Sequence, residues 1–209
     1  MTIMKVLLIN GSPKANGNTA FALSQMEEVF AAEGVETEVI QVGNQLIRGC
    51  TGCGSCYKNG KCVFDDVVNE TAAKLEAADG IVVASPVYYA SPNGTLISFL
   101  DRLFYSSGKI DKTMKVGAAV VCARRGGCSA AFDVLNKYFT ISNMPVASGS
   151  YWNMIHGAKP GEAQQDAEGI RTVRNLAKNM TFLMKSVSIG KETVGLPEPE
   201  KKVFTNFIR

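Results

Sequence analysis

The sequence predicts an α/β protein: a doubly wound, five-stranded parallel sheet with helices on both faces. Three observations carry this reading. Strand-like and helix-like patterns alternate along most of the 209 residues. Three of the strand segments are unbroken apolar runs, as parallel strands covered on both sides require. The segments that follow them are rich in Gly, Ser, Pro and Asn, which suits loops opening into helices.

Ile3–Asn10 (IMKVLLIN) is the first apolar run and predicts a buried strand. Leu23, Met26 and Phe30 then recur at helical spacing as far as Gly34, a residue suited to ending a helix. Val35–Val42 (VETEVIQV) alternates and predicts a half-covered second strand. Asp65 and Asp66 suit the positive end of a helix dipole, and Val68, Ala72 and Leu75 form that helix's apolar stripe. Gly80–Ser85 (GIVVAS) predicts the third strand, Leu96, Phe99, Leu100 and Leu103 the next helix, and Lys115–Ala123 (KVGAAVVCA) the fourth strand. A helix around Ala130–Tyr138 leads to a short fifth strand near Pro145–Ser148. A long helix follows, with Ile170, Val173, Ala177, Met180 and Met184 on one stripe. Periodicity fades after Val187, so residues 187–209, with Pro197 and Pro199, are expected to form a surface arm suited to lying on a partner subunit. The length fits a single domain spanning 1–209.

Composition narrows the function classes. The net charge is +3 and the Lys and Arg residues are scattered, which argues against nucleic acid. No apolar run approaches the roughly 20 residues of a membrane helix. The opening MTIMKVLLING loses its apolar character after Ile9 and no small-residue cleavage site follows, so it reads as a strand rather than a leader. A cytoplasmic protein with reduced thiols is expected.

In doubly wound sheets, ligands bind beyond the carboxyl ends of the strands, where strand order reverses. The loop Asn10–Thr19 (NGSPKANGNT) lies there, with small residues that let backbone N–H groups converge at a helix N-terminus. It has neither a Walker A ending nor a G-x-G-x-x-G pattern. Ser12, Asn16, Asn18 and Thr19 offer neutral donors for one terminal phosphate; the alternative is a capped turn with Asn18 or Thr19 as N-cap. Ser85–Gly94 (SPVYYASPNG) follows the third strand and presents the flat faces of Tyr88 and Tyr89. Ala123–Ser129 (ARRGGCS) follows the fourth, where Gly126 and Gly127 allow close approach and Arg124 and Arg125 bring positive charge. A phosphate at one end and a flat ring at the other describe a mononucleotide, best of all FMN.

Four of the six cysteines, Cys50, Cys53, Cys56 and Cys62, stand in a C-x2-C-x2-C-x5-C loop at 48–64. Structural zinc sites favour two separated pairs. Three cysteines at successive intervals of three, with a fourth close behind, suit a 4Fe–4S cubane approached from one side. Zinc, an empty reduced loop and a redox-active disulfide remain as alternatives. The loop is expected to leave from the carboxyl edge that hosts the flavin. Cys122 and Cys128 read as packing residues.

GSPKANGNT, SPVYYASPNG and the cysteine loop together make the chain resemble the flavodoxin-like NAD(P)H-dependent FMN reductases and, more narrowly, the iron–sulfur flavoproteins. The resemblance spans about Lys5 to Gly157. It implies strand order 2-1-3-4-5 and FMN phosphate bound by Ser12, Lys14, Asn18 and Thr19. It also implies an isoalloxazine held by Pro86, Val87, Tyr88, Asn93 and Gly94, with Gly126 and Gly127 nearby, and a homodimer or homotetramer. The expected activity is FMN-dependent electron transfer from ferredoxin or NAD(P)H to a small-molecule acceptor. The rivals are a cluster-free FMN or quinone reductase and a non-enzymatic electron carrier or thiol-based sensor. His156 is the only histidine and lacks a G-x-S-x-G partner motif, so hydrolase chemistry is disfavoured.

Overall fold

Strand β1 (Lys5–Asn10) is buried on both faces: Val6 and Leu8 point to one core and Leu7 and Ile9 to the other. The computed structural model describes residues 3–201 and 203–205. β1 pairs in parallel with β2 (Glu36–Gln41) on one side and β3 (Gly80–Tyr88) on the other. β5 (Val116–Ala123) extends the sheet beyond β3, and β6 (Met154–His156) forms its edge. β4 (Ser91–Pro92) is a two-residue antiparallel hook on the end of β3. The sheet order is β2-β1-β3-β5-β6, and counting the parallel strands alone this is the expected 2-1-3-4-5. Helices α1 (Asn18–Ala32) and α6 (Ala167–Thr193) cover one face; α3 (Val67–Ala77), α4 (Gly94–Ser106) and α5 (Cys128–Thr140) cover the other. A five-residue helix, α2 (Ser55–Asn59), interrupts the cysteine loop. No helix among the described residues is long and apolar enough to cross a membrane.

Two elements differ from expectation. The fifth parallel strand lies at Met154–His156, not Pro145–Ser148, where only Val146 bridges to Gly117. Pairing resumes with Met154 opposite Val121, and the intervening chain loops out of the sheet. Asn153 closes the gap: its Nδ2 donates to the Ala119 carbonyl at 3.1 Å, and its carbonyl accepts from the Val121 N–H at 3.0 Å. Three paired residues are too few for an alternating pattern to register. The second difference is at the end of α6, which runs to Thr193, so the arm expected from residue 187 begins at Val194. None of residues 185–193 is buried, which leaves no apolar stripe to read there.

The β3–β4 hairpin turns on Tyr89 and Ala90, with φ of 49° and 61°. A two-residue hairpin turn with both φ positive is normally filled by Asn-Gly or its kin, because a Cβ is penalised there. We predict that Ala90→Gly relieves part of this cost and stabilises the fold by about 1 kcal/mol, roughly 2–4 °C in Tm for a chain of this size. Thermal unfolding followed by circular dichroism tests it; an unchanged or lower Tm would show that the turn is not strained.

Candidate functional site

Beyond the carboxyl ends of β1, β3 and β5 lies a cleft of about 270 Å³. The β1–α1 loop forms one wall through Ser12, Lys14, Gly17, Asn18 and Thr19; Pro86, Val87 and Tyr88 form another, with Cys122 and Arg124 from the end of β5. Gly17 is the N-cap of α1, and among the described residues no side chain caps this helix. Neither Asn18 nor Thr19 is the N-cap, so the capped-turn alternative is not what the chain adopts. An uncapped helix start with no acidic residue in its first turn is a ready anion site.

The donors in this wall are not equivalent. Ser12 Oγ accepts from the Lys14 N–H at 3.1 Å, which leaves its own proton to donate elsewhere. The Asn18 amide is spent on backbone: Nδ2 donates to the Lys159 carbonyl at 2.9 Å and Oδ1 accepts from the Ala163 N–H at 3.3 Å. Asn18 therefore fastens the segment after β6 to the helix start. Thr19 is buried with its hydroxyl against the Cys122 thiol. Asn16 is exposed and lies outside the cleft lining.

Sequence reasoning missed what holds this loop in place. The Ser12 N–H donates to Asn10 Oδ1 at 3.0 Å, Asn10 Nδ2 donates to Gln41 Oε1 at 2.7 Å, and Gln41 Nε2 returns to the Ser12 carbonyl at 2.6 Å. Asn10 and Gln41 are register partners at the ends of β1 and β2, and two amides closing two apolar strands were the available signal. Gly43 then crosses so close that a Cβ there would lie 2.3 Å from the Gly11 carbonyl oxygen.

At the end of β3, Pro86, Val87 and Tyr88 line the cleft, whereas Tyr89 is fully exposed at the hairpin tip. Asn93 and Gly94 stand outside the lining: Asn93 Oδ1 caps α4, accepting from the N–H groups of Thr95 at 2.8 Å and Leu96 at 3.3 Å. Gly127, at φ 90°, is the N-cap of α5 and packs on Val87 and Ala90, while Gly126 is open to solvent. His156 also lies outside the lining, 3.4 Å from Asp166 through Nδ1. Burial pushes the Cys122 thiol up to about 12 and raises Cys128 as well.

The four loop cysteines line a second, smaller concavity together with Phe64, Arg102, Tyr105 and Ser106. All six cysteines are free thiols. The loop leaves the carboxyl edge after β2 as expected, but it then runs along α4: Gly49 lies beside Ser98, Cys62 against Arg102, and Tyr57 against Tyr105. Eight residues separate Gly94 from Arg102, about 12 Å along the helix axis. The cysteines therefore sit along the flank of α4, towards its C-terminal half. Gly52, Gly54 and Gly60 take left-handed conformations that wrap the loop around α2. The Ser55 N–H holds the Cys53 thiol below its usual range. Asn69 clamps the backbone of Cys62 from both sides, accepting from its N–H at 2.9 Å and donating to its carbonyl at 3.0 Å.

Arg102 is 1% exposed. It forms a fork with Asp66, Nη1 to Oδ2 at 2.7 Å and Nη2 to Oδ1 at 3.0 Å, and approaches Cys62 Sγ with Nε at 3.3 Å and Nη2 at 3.2 Å. One turn further on α4, Ser106 Oγ is buried without a hydrogen-bond partner among the described residues. Among the described residues, no three His, Cys, Asp or Glu side chains are arranged to hold a single metal ion.

Residues 4–159 match the family described as NADPH-dependent FMN reductase. The chain belongs to this NADPH-dependent FMN reductase family. It is 33% identical to an iron-sulfur flavoprotein of Methanocaldococcus jannaschii over 88% of this chain and 99% of the relative. It is 28% identical to an iron-sulfur flavoprotein of Methanosarcina thermophila over 90% of this chain and the whole of the relative. In architecture it is similar to RosB bound to 8-demethyl-8-formylriboflavin-5'-phosphate, with TM-score 0.67 and 15% identity over 99% of this chain and 94% of that one. An archaeal flavodoxin superposes with TM-score 0.58 and 17% identity over 87% of this chain and 99% of that one. The fold is flavodoxin-like, and this FMN reductase family member is an FMN-dependent oxidoreductase.

Two predictions follow from the geometry. Gly43→Ala should push the Gly11–Ser12 backbone out of place and weaken FMN binding at least about tenfold, or 1.4 kcal/mol. Fluorescence titration of flavin-free protein measures this, and unchanged affinity would mean that Gly43 does not set the loop. In metal-free protein at about pH 8, a maleimide should label the exposed Cys50 and Cys53 promptly, with Cys122 and Cys128 reacting only after denaturation. Mass spectrometry of labelled peptides reads the difference; prompt labelling of Cys122 would contradict its burial.

Proposed function

We propose that the protein is an oxidoreductase of the iron–sulfur flavoprotein type, passing electrons from ferredoxin or NAD(P)H to a small-molecule acceptor. Bound FMN supplies the redox chemistry, and the protein supplies position and electrostatics. The uncapped start of α1, with the Ser12 hydroxyl and Lys14 beside it, would hold the phosphate. Pro86–Tyr88 would set the ring against the end of β3. Cys50, Cys53, Cys56 and Cys62 would hold a 4Fe–4S cluster. The observation that carries this reading is that all four thiols line one concavity. The fit is supported by the donor set around them: Arg102 directs N–H groups at Cys62, and the Ser106 hydroxyl has no partner among the described residues. A cluster takes each thiolate on a separate iron, so its ligands need not converge as closely as those of one ion. The relatives named iron-sulfur flavoprotein support the same choice. A cytoplasmic homodimer or homotetramer completes the proposal.

Anaerobic purification and reconstitution test it. FMN is the expected released flavin, with iron and sulfide each at about four per chain. Cys56→Ala should lose the iron, keep FMN, and lose reduction by ferredoxin while dithionite still reduces the flavin. Wild-type protein that takes up no iron would instead be a cluster-free NAD(P)H-dependent FMN reductase, and recovery of mainly FAD would overturn the cleft assignment.

A further inference from the structure

We propose that one stripe of α4, Arg102 and Ser106, is a donor face that positions Cys62 and hydrogen-bonds the metal group held by the cysteine loop. This rests on the cluster reading above and assigns residues that the cysteine motif does not contain. Arg102 lies among Phe99, Leu100 and Leu103, all fully buried, so packing alone would be served by an apolar side chain. A buried guanidinium is costly unless its charge and donors are matched. Asp66 matches the charge through one edge of the fork. The other edge, Nε and Nη2, meets a sulfur. Phe64 packs on the guanidinium face, 5.0 Å from ring centroid to Cζ, and keeps that edge aimed.

Ser106 is the independent observation. It follows Arg102 by four residues, so both lie on the same helix face. Its Oγ is buried, lines the cysteine concavity, and has no partner among the described residues. An orphaned buried hydroxyl is destabilising, a cost removed when an acceptor arrives. Sulfur atoms gathered in that concavity would be such acceptors. Cys62, clamped by Asn69 and met by Arg102, is thereby placed ahead of the more exposed Cys50 and Cys53, which fold over α2 to meet it. N–H and O–H donors at ligand sulfur draw charge from it and favour the reduced form, raising the reduction potential.

The test uses full-length, anaerobically reconstituted wild type, Ser106→Ala, Arg102→Lys and Asp66→Asn. It measures iron and sulfide content, iron loss to a chelator, the cluster midpoint potential by EPR-monitored titration, FMN content, and the Tm of metal-free protein. Ser106→Ala should leave the metal-free Tm equal or higher, because an unsatisfied hydroxyl is gone, yet shift the cluster midpoint to a more negative value. Arg102→Lys keeps the charge but loses the fork; it should lose iron about 10- to 100-fold faster, with a more negative midpoint and unchanged FMN content. Asp66→Asn should lower the Tm while moving the midpoint less than Arg102→Lys. If Ser106→Ala and Arg102→Lys both keep the wild-type midpoint and iron retention, the stripe is structural and the proposal fails while the cluster reading stands. If wild type itself takes up no iron, the cluster reading fails and the proposal with it.

Discussion

The contact of Gly43 with the backbone of Gly11 and Ser12 joins the two strand ends on which both sites depend. β1 ends in the loop that forms the cleft, and β2 ends in the loop that carries the cysteines. Parallel pairing delivers both ends to one edge; its register ends at Asn10 and Gln41, and the N–H groups of Val42 and Gly43 still donate to the Asn10 carbonyl at 3.0 and 3.1 Å. Past that point the Asn10–Gln41–Ser12 ring of amides and the absence of a side chain at 43 keep the chains together. A loop so fastened presents the uncapped start of α1 in a fixed position, which is what an anion site made of backbone donors requires.

α4 does a second job of alignment. Its N-terminus is capped by Asn93 just after the β3–β4 wall of the cleft, and its middle carries Arg102 against Cys62. A helix is stiff, so the spacing between cleft and cysteine loop is set by residue count along one element and not by loop conformation. The burial of Arg102 is tolerated because Asp66, Cys62 and two backbone carbonyls take up its donors. At the same rim of the cleft, the positive φ values of Tyr89 and Ala90 place backbone strain where β4 and Gly127 restrain it.

Several site residues divide into those that line a surface and those that hold the lining in place. Asn18 and Asn93 look alike as loop amides in the sequence, yet Asn18 bridges to the segment after β6 and Asn93 caps a helix. Asn10 and Gln41 look like polar ends of strands, yet they fasten the β1–α1 loop. Amide side chains both donate and accept, so composition cannot say which partner claims them. That depends on which backbone groups the tertiary fold leaves unpaired nearby.

The sequence by itself determined the parallel α/β architecture, because apolar runs and helical stripes report burial that is local in the chain. It also picked out the loops that line the two concavities, since glycine, hydroxyl and thiol spacing are properties of short segments. The edge strand at Met154–His156, the continuation of α6 to Thr193 and the course of the cysteine loop along α4 were decided by tertiary structure. Each involves few residues or little buried area, so no periodic signal marks it. The pairing of Arg102 with Cys62 joins residues forty positions apart, and only packing α3 and the cysteine loop against α4 brings them within hydrogen-bonding distance.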